Sequence, residues 1–268
     1  MCAVDRTLTS LTLGGTSPLS DAEGQTLVDH LQGRLVGRGF RAAVDEVCQP
    51  NSLLSVLLCE LPVAALLSGY ANLYTGAFPR PIPQAMLDRF PVDICAGWAA
   101  PGSFMLQIRR DRDMPTPSGP VAPDLVESWH SMPDLAPGSM RRQRLLDRTG
   151  DAVWAMFRDT YARPDGVVTI LHEYSVEATL SGHADFSEEI NPSGETVIRC
   201  EATARVLPWA ECPQAAASAG RVVGTPVSGL RALVKDTLVG TSTCTHLNDL
   251  LSSLSQAGEL VPSRPTPR

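Results

Sequence analysis

Lysine is nearly missing from this chain. Lys235 is its only one, so almost all positive charge is arginine. The net charge of −7 excludes broad electrostatic attraction to nucleic acid or an anionic membrane. Arg109-Arg110 and Arg141-Arg142 are short basic spots rather than a stripe. No apolar run approaches the roughly 20 residues that a membrane helix needs. Long polar low-complexity tracts are absent as well. The N-terminus lacks the charged region and long apolar core of a signal peptide. The seven cysteines are an odd number, scattered at positions 2, 48, 59, 95, 200, 212 and 244, which is not a secreted disulfide framework. A reduced, cytoplasmic protein is expected. There is no Gly-rich phosphate loop, no G-x-S-x-G elbow and no H-E-x-x-H helix.

What remains is ordinary globular material. Of 268 residues, 43% are hydrophobic and 19% charged, enough for one large domain or two of usual size. A weak repeat runs through it. Gly33-Arg-Leu-Val-Gly37 precedes the apolar-periodic stretch Phe40, Ala43, Val44, Val47 and a leucine-rich segment to Leu61. Gly220-Arg-Val-Val-Gly224 precedes Leu230, Leu233, Val234 and then His246 to Leu250. Strand signals lie between these blocks. Asp93 to Ile108 reads as a hairpin turning at Ala100-Pro-Gly-Ser103. Val167 to Leu180 alternates with His172, Tyr174, Val176, Ala178 and Leu180 on one face, and Val197 to Val206 is its expected partner across Asn191-Pro-Ser-Gly194. The expected fold is α+β: two similar halves, each with antiparallel strands packed against helices, related by weak internal duplication. The N-terminal half would span 1–113, a Pro/Gly-rich connection 114–138, the C-terminal half 139–261 and a frayed tail 262–268.

The residues that suggest chemistry lie in the second half. Leu247, Leu250, Leu251 and Leu254 have helical spacing, and Thr245 can cap that helix. Cys244 and His246 then sit at its positive end, where a thiolate is favoured. Cys212 has a similar setting, before Pro213 and the small-residue run Ala215 to Ala219. His172, on the apolar strand face, can approach Cys212 through the neighbouring strand. His172, Cys212, Cys244 and His246 are the candidate ligands of a divalent metal, most simply zinc, which such donors suit. Glu173 and Asp249 are the nearest carboxylates, able to orient a ligand or act as general base. In the first copy Gln25, Ser55 and Leu57 fall opposite Cys212, Cys244 and His246, so that half keeps the frame without the donors. The plain alternatives stay open: a core histidine, buried thiols and solvated carboxylates. His130, beside Trp129 in the connection, can line a pocket or stand in a loop.

Several strings resemble a domain-of-unknown-function family, number 2889 in its series, in an actinobacterial branch. They are Met140-Arg-Arg142, Phe157-Arg-Asp159, His172-Glu-Tyr174, Leu207-Pro-Trp-Ala-Glu-Cys-Pro213 and Thr243-Cys-Thr-His-Leu-Asn-Asp249, with Leu66 to Tyr70, Cys95-Ala-Gly-Trp98, Gly119 to Pro123 and Trp129-His130 in the first half. The resemblance implies kinship and no established activity. A fainter likeness is to iron–sulfur cluster scaffold proteins, which also place cysteines at helix starts. The expected function is a small-molecule enzyme, metal-assisted, of hydrolase, lyase or cyclase type, in specialised metabolism or aromatic catabolism. The alternatives are a non-enzymatic metal or iron–sulfur binding protein, and a metal-free cysteine/histidine enzyme. A small-molecule substrate, no nucleic acid and no membrane complete the expectation, with a homodimer as the candidate assembly.

Overall fold

The structure, a computed structural model, describes residues 7–11, 21–37, 39–49, 52–67, 79–117, 119–122, 134–181 and 194–260. The chain divides into two compact units, Met1–Gly69 and Tyr70–Arg268. In the first, helices α1 (Asp21–Leu31), α2 (Phe40–Val47) and α3 (Leu53–Leu67) enclose Leu27, Leu31, Val36, Phe40, Val44 and Leu58. On α1 and α2 the buried residues recur at helical spacing, one stripe on each, whereas α3 is apolar on most of its sides. The only pairing among the described residues of this unit is the bridge Thr7–Leu35. The expectation of two similar α+β halves is therefore not met: this unit is helical, and no duplication is evident. The helical part of the supposed repeat exists, but the Gly-x-x-x-Gly strings that suggested it are turn chemistry, which recurs without common descent.

In the second unit, α4 (Gln84–Leu87), a 3₁₀ turn (Ala96–Trp98) and α5 (Ser103–Asp111) precede four strands. These are β1 (Met140–Thr149), β2 (Ala152–Ala162), β3 (Val168–Ser181) and β4 (Thr196–Val206), antiparallel in the order β1-β2-β3-β4. A 3₁₀ segment (Cys212–Val222), α6 (Leu230–Thr237), α7 (Thr245–Ser253) and a last 3₁₀ segment (Leu254–Glu259) follow. Alternation sets one sheet face against these helices. Val153, Ala155 and Phe157 of β2 and Tyr174, Val176, Ala178 and Leu180 of β3 join Leu230, Leu247, Leu250, Leu251 and Leu254 in one core. Both expected strands, 167–180 and 197–206, are present as β3 and β4, and β1 and β2 stand beside them. No helix among the described residues is long and apolar enough to cross a membrane.

The expected hairpin over 93–108 is not there. Phe104, Met105 and Ile108 have helical spacing and are buried together on α5. Its start is capped from far along the chain: Ser103 donates its backbone N–H and its hydroxyl to Glu211, at 2.6 and 2.8 Å. That cap is invisible to local pattern reading. Segment 79–113 accordingly packs within the second unit; Ala96 N–H, for instance, donates to the Thr243 carbonyl. Part of the expected connection is also ordered, because Val121 bridges Thr169 and Ile170 N–H donates to Pro120. The tail 262–268, the link 191–193 and residues 123–133 lie outside the described residues.

Gly119 allows this last contact. A Cβ there would lie 1.6 Å from the Ile170 carbonyl oxygen, which is backbone and cannot turn aside. Gly119→Ala should therefore detach residues 119–122 from β3 and cost about 1–3 kcal/mol or more, the usual scale of overpacking. Urea denaturation gives the cost directly; an unchanged midpoint would show that this pairing contributes nothing.

Candidate metal centre

Asp159 and His172 are direct cross-strand partners on β2 and β3. A β-bulge lies beside them: Asp159 pairs with His172 and Thr160 with Ile170, leaving Leu171 without a partner in the register. Such bulges re-aim side chains next to functional sites. His246 comes down on this pair from the first turn of α7. Its ring stacks on His172 with centroids 3.9 Å apart and planes 16° apart. The His172 Nδ1 lies 3.4 Å from Asp159 Oδ2. Asp159, His172 and His246 each offer one ligand atom, all within 4.8 Å of one another, and could hold a metal ion.

Arg142 of β1 supports the aspartate. Its Nε and Nη2 donate to the two carboxylate oxygens at 2.6 and 2.7 Å, a bidentate charge-assisted pair. The same guanidinium lies 5.1 Å from the Phe157 ring centroid, and its Nη1 is 3.5 Å from Asp249 Oδ2. Burial pushes the Asp159 carboxyl up, but the hydrogen bonds and charge of Arg142, with His172, outweigh it and hold the group well below the usual carboxylate range. His246 moves the other way. Burial, then the charges of His172 and Arg142, keep its pKa well below that of an ordinary imidazole. At neutral pH the site therefore holds a carboxylate and a neutral His246, the protonation states that metal ligands need.

Among the described residues the buried His246 Nε2 has no hydrogen-bond partner, and the buried His172 Nδ1 faces the Asp159 carboxylate at 3.4 Å. Buried polar atoms are nearly always satisfied, and an orphan calls for an explanation such as an ion. The donor set of two imidazoles and one carboxylate suits zinc or iron(II). Tetrahedral zinc, with bonds of about 2.0–2.2 Å, needs ligand atoms about 3.4 Å apart. An imidazole lone pair lies in its ring plane, so a shared ion requires the stacked rings to open as the ligand atoms close in. By donor type and proximity the three residues could hold a metal.

The other expected site residues stand elsewhere. The sulfurs of Cys212 and Cys244 are outside the metal-holding group. Cys244 is the N-cap of α7, a place expected for Thr245, and its Sγ lies 3.8 Å from His246 Nδ1, on the opposite edge of the ring from Nε2. Cys212 Sγ packs so closely against Gly97 that a Cβ there would lie 2.5 Å from it. Nor are these thiols activated by their helix starts. Burial, and then neighbouring Cys244, pushes Cys212 up to about 12; burial also raises Cys244. Desolvation outweighs the helix end in both cases. Glu173 is on the far face of β3, paired with Arg158. Asp249 reaches the site through Arg142. Cys48 and Cys59 belong to the first unit, while Cys2 and His130 lie outside the described residues.

Sequence reasoning missed Asp159 and Arg142 as site residues. A signal existed: Asp159 continues the phase of Val153, Ala155 and Phe157, a carboxylate on an apolar strand face, and Arg142 lies opposite it on β1. A buried charge in that phase demands a partner.

An antiparallel sheet with helices on one face, carrying a buried carboxylate–imidazole centre at one end, defines the C-terminal part of the chain. This part, residues 140–258, is a domain of the family described as protein of unknown function (DUF2889). The match contains Arg142, Asp159, His172, Tyr174, Cys212, Cys244, His246 and Asp249. No curated protein and no solved structure matches the chain.

Proposed function

We propose that this domain is a metal-dependent small-molecule enzyme of hydrolase, lyase or cyclase type, with one divalent ion, zinc in the first instance, held by Asp159, His172 and His246. What supports this reading above all is a buried carboxylate and two imidazoles whose ligand atoms all lie within 4.8 Å of one another, with the buried His246 Nε2 left without a hydrogen-bond partner among the described residues. The nitrogen and oxygen donors favour a mononuclear ion over an iron–sulfur cluster, which is held by thiolates. When bound, the ion would polarise a carbonyl or lower the pKa of a water. Arg142 holds the Asp159 carboxylate in one orientation, the supporting role that such partners play at metal sites. His172 and Asp159 are sealed, with 3% and 0% exposure, and His246 Nε2 is buried as well, so a substrate would need the α7 start to move to reach the centre.

Metal analysis of protein purified without chelator, then dialysed against zinc or anaerobic iron(II), should find one ion per chain. His246→Ala and His172→Ala should each lower occupancy more than tenfold while the circular dichroism is retained. The metal-loaded protein should turn over members of a panel of small esters, lactones and hydroxy acids, with the rate lost on chelation and restored on reloading. Folded wild-type protein that retains no ion under either condition would overturn the proposal.

A further inference from the structure

The start of α7 carries two groups that meet the sheet at different places. His246 lies against the Asp159–His172 pair, and Asp249 follows three residues later on the same helix face. Asn248 sits about 100° round the helix from Asp249 and makes contacts of its own. Its amide donates to the Leu238 carbonyl at 2.6 Å, and its oxygen accepts from the Thr243 hydroxyl at 2.6 Å. Thr243 is fixed in turn, because its carbonyl accepts the Ala96 N–H at 2.9 Å. On that side, short hydrogen bonds tie the helix start to the loop before it.

The Asp249 side is held differently. Arg142 directs Nε and Nη2 to Asp159 at 2.6 and 2.7 Å, and its Nη1 faces Asp249 Oδ2 at 3.5 Å. A guanidinium is a rigid planar fork, so fixing two of its nitrogens fixes the direction of the third. Arg142, on β1, thus relays the position of Asp159 on β2 to Asp249 on α7. Arg142 and Asp249 are each only 10% exposed, and a pair at that depth is screened less than one in open solvent. Still, 3.5 Å is long beside the 2.6 Å bonds of Asn248, and hydrogen bonds weaken with length. The comparison decides which side gives first. The helix start pivots about Asn248 and parts from the sheet at Asp249.

We infer that Asp249 is a positioning residue which, through Arg142, holds the start of α7 so that His246 lies against Asp159 and His172. The same contact is where α7 lifts to admit a substrate. The inference rests on the proposed centre for its purpose, but the placement of His246 is a property of the metal-free chain.

The test uses the full chain, stripped of metal by chelation and treated with diethyl pyrocarbonate at neutral pH. His246 Nε2 is buried, so modification of His246, followed by peptide mass analysis, reports the lifting of α7. Cys200, 4% exposed on β4, reacts with N-ethylmaleimide when the core opens as a whole and serves as the control. In Asp249→Ala, His246 should react about tenfold faster, the scale of a hydrogen bond to a charged group, with Cys200 labelling unchanged. Asp249→Glu keeps the charge and should hold both rates near the wild-type values. Zinc affinity, titrated separately, should fall about tenfold in Asp249→Ala and recover in Asp249→Glu. A His246 rate unchanged in Asp249→Ala, or raised no more than that of Cys200, overturns the inference. Zinc affinity left intact by Asp249→Ala overturns it too, and leaves the proposed centre standing. The expected reactivities in a chain that binds no zinc uphold the placement of His246 and remove the metal reading instead.

Discussion

Replacing Asp159 by alanine is expected to abolish metal binding and to destabilise the fold by about 3–5 kcal/mol, the usual cost of breaking a buried ion pair. Asp159 is completely buried and Arg142 only 10% exposed. Without the carboxylate, the guanidinium loses its bidentate partner and keeps Asp249 at 3.5 Å, in a largely buried site. The effect carries a pH signature. The folded-state pKa of Asp159 is depressed. Its contribution is therefore fully present above the unfolded value of about 3.9 and is lost as pH falls from there towards the folded value. The stability gap between wild type and Asp159→Asn, measured by urea denaturation, should be constant above about pH 5 and shrink below about pH 4. A gap that instead widened in acid would contradict the assignment of a charged Asp159. Asp159→Asn should also lower zinc affinity more than tenfold, since it keeps the shape and removes the charge.

Glu195→Ala should cost as much, about 3–5 kcal/mol, and leave the metal centre alone. Arg148, at the far end of β1 from Arg142, pairs with Glu195, and the two side chains are only 2% and 3% exposed. Arg148 also donates to the Ala257 carbonyl at 2.8 Å and to the Gly150 carbonyl at 2.9 Å. One guanidinium thus ties the β1–β2 turn, the approach to β4 and the last 3₁₀ segment together. Removing Glu195 leaves that charge buried without its counter-ion. The melting temperature should drop by roughly 6–20 °C, taking 2–4 °C per kcal/mol for a unit of this size. The double variant Arg148→Met, Glu195→Leu should recover most of the loss, because an apolar pair has no charge to desolvate. Zinc stoichiometry in Glu195→Ala should stay at the wild-type level below its new melting point. A Glu195→Ala protein as stable as wild type would show that Arg148 finds water or another partner there.

The strands β3 and β4 and the helix α7 were legible because period-2 and period-3.6 patterns report directly which side of an element is buried. His172 was legible for the same reason, as a titratable group in an apolar phase. The 93–108 segment was not, since the Pro-Gly pair at 101–102 is turn chemistry that serves a hairpin and a helix start equally. Its helix is capped by Glu211, more than a hundred residues away. The thiols misled for an energetic reason. A helix N-terminus favours a thiolate, but burial opposes it more strongly, and burial is a property of the packed core.

By itself the sequence determined the α+β class of the C-terminal domain, two of its strands, the helix that carries His246, and the family strings within which the site residues lie. Only the tertiary structure decided which of those residues meet. Cys244-Thr-His246 pointed to a thiol–imidazole ligand pair, yet the fold uses the two edges of one ring differently. Nδ1 faces the sulfur, and Nε2 is buried beside the β2–β3 pair. The cause is the cross-strand register, which sets Asp159 against His172 and Arg142 against Asp159. Register depends on pairing between distant segments, so no local pattern around His246 could supply its carboxylate partner.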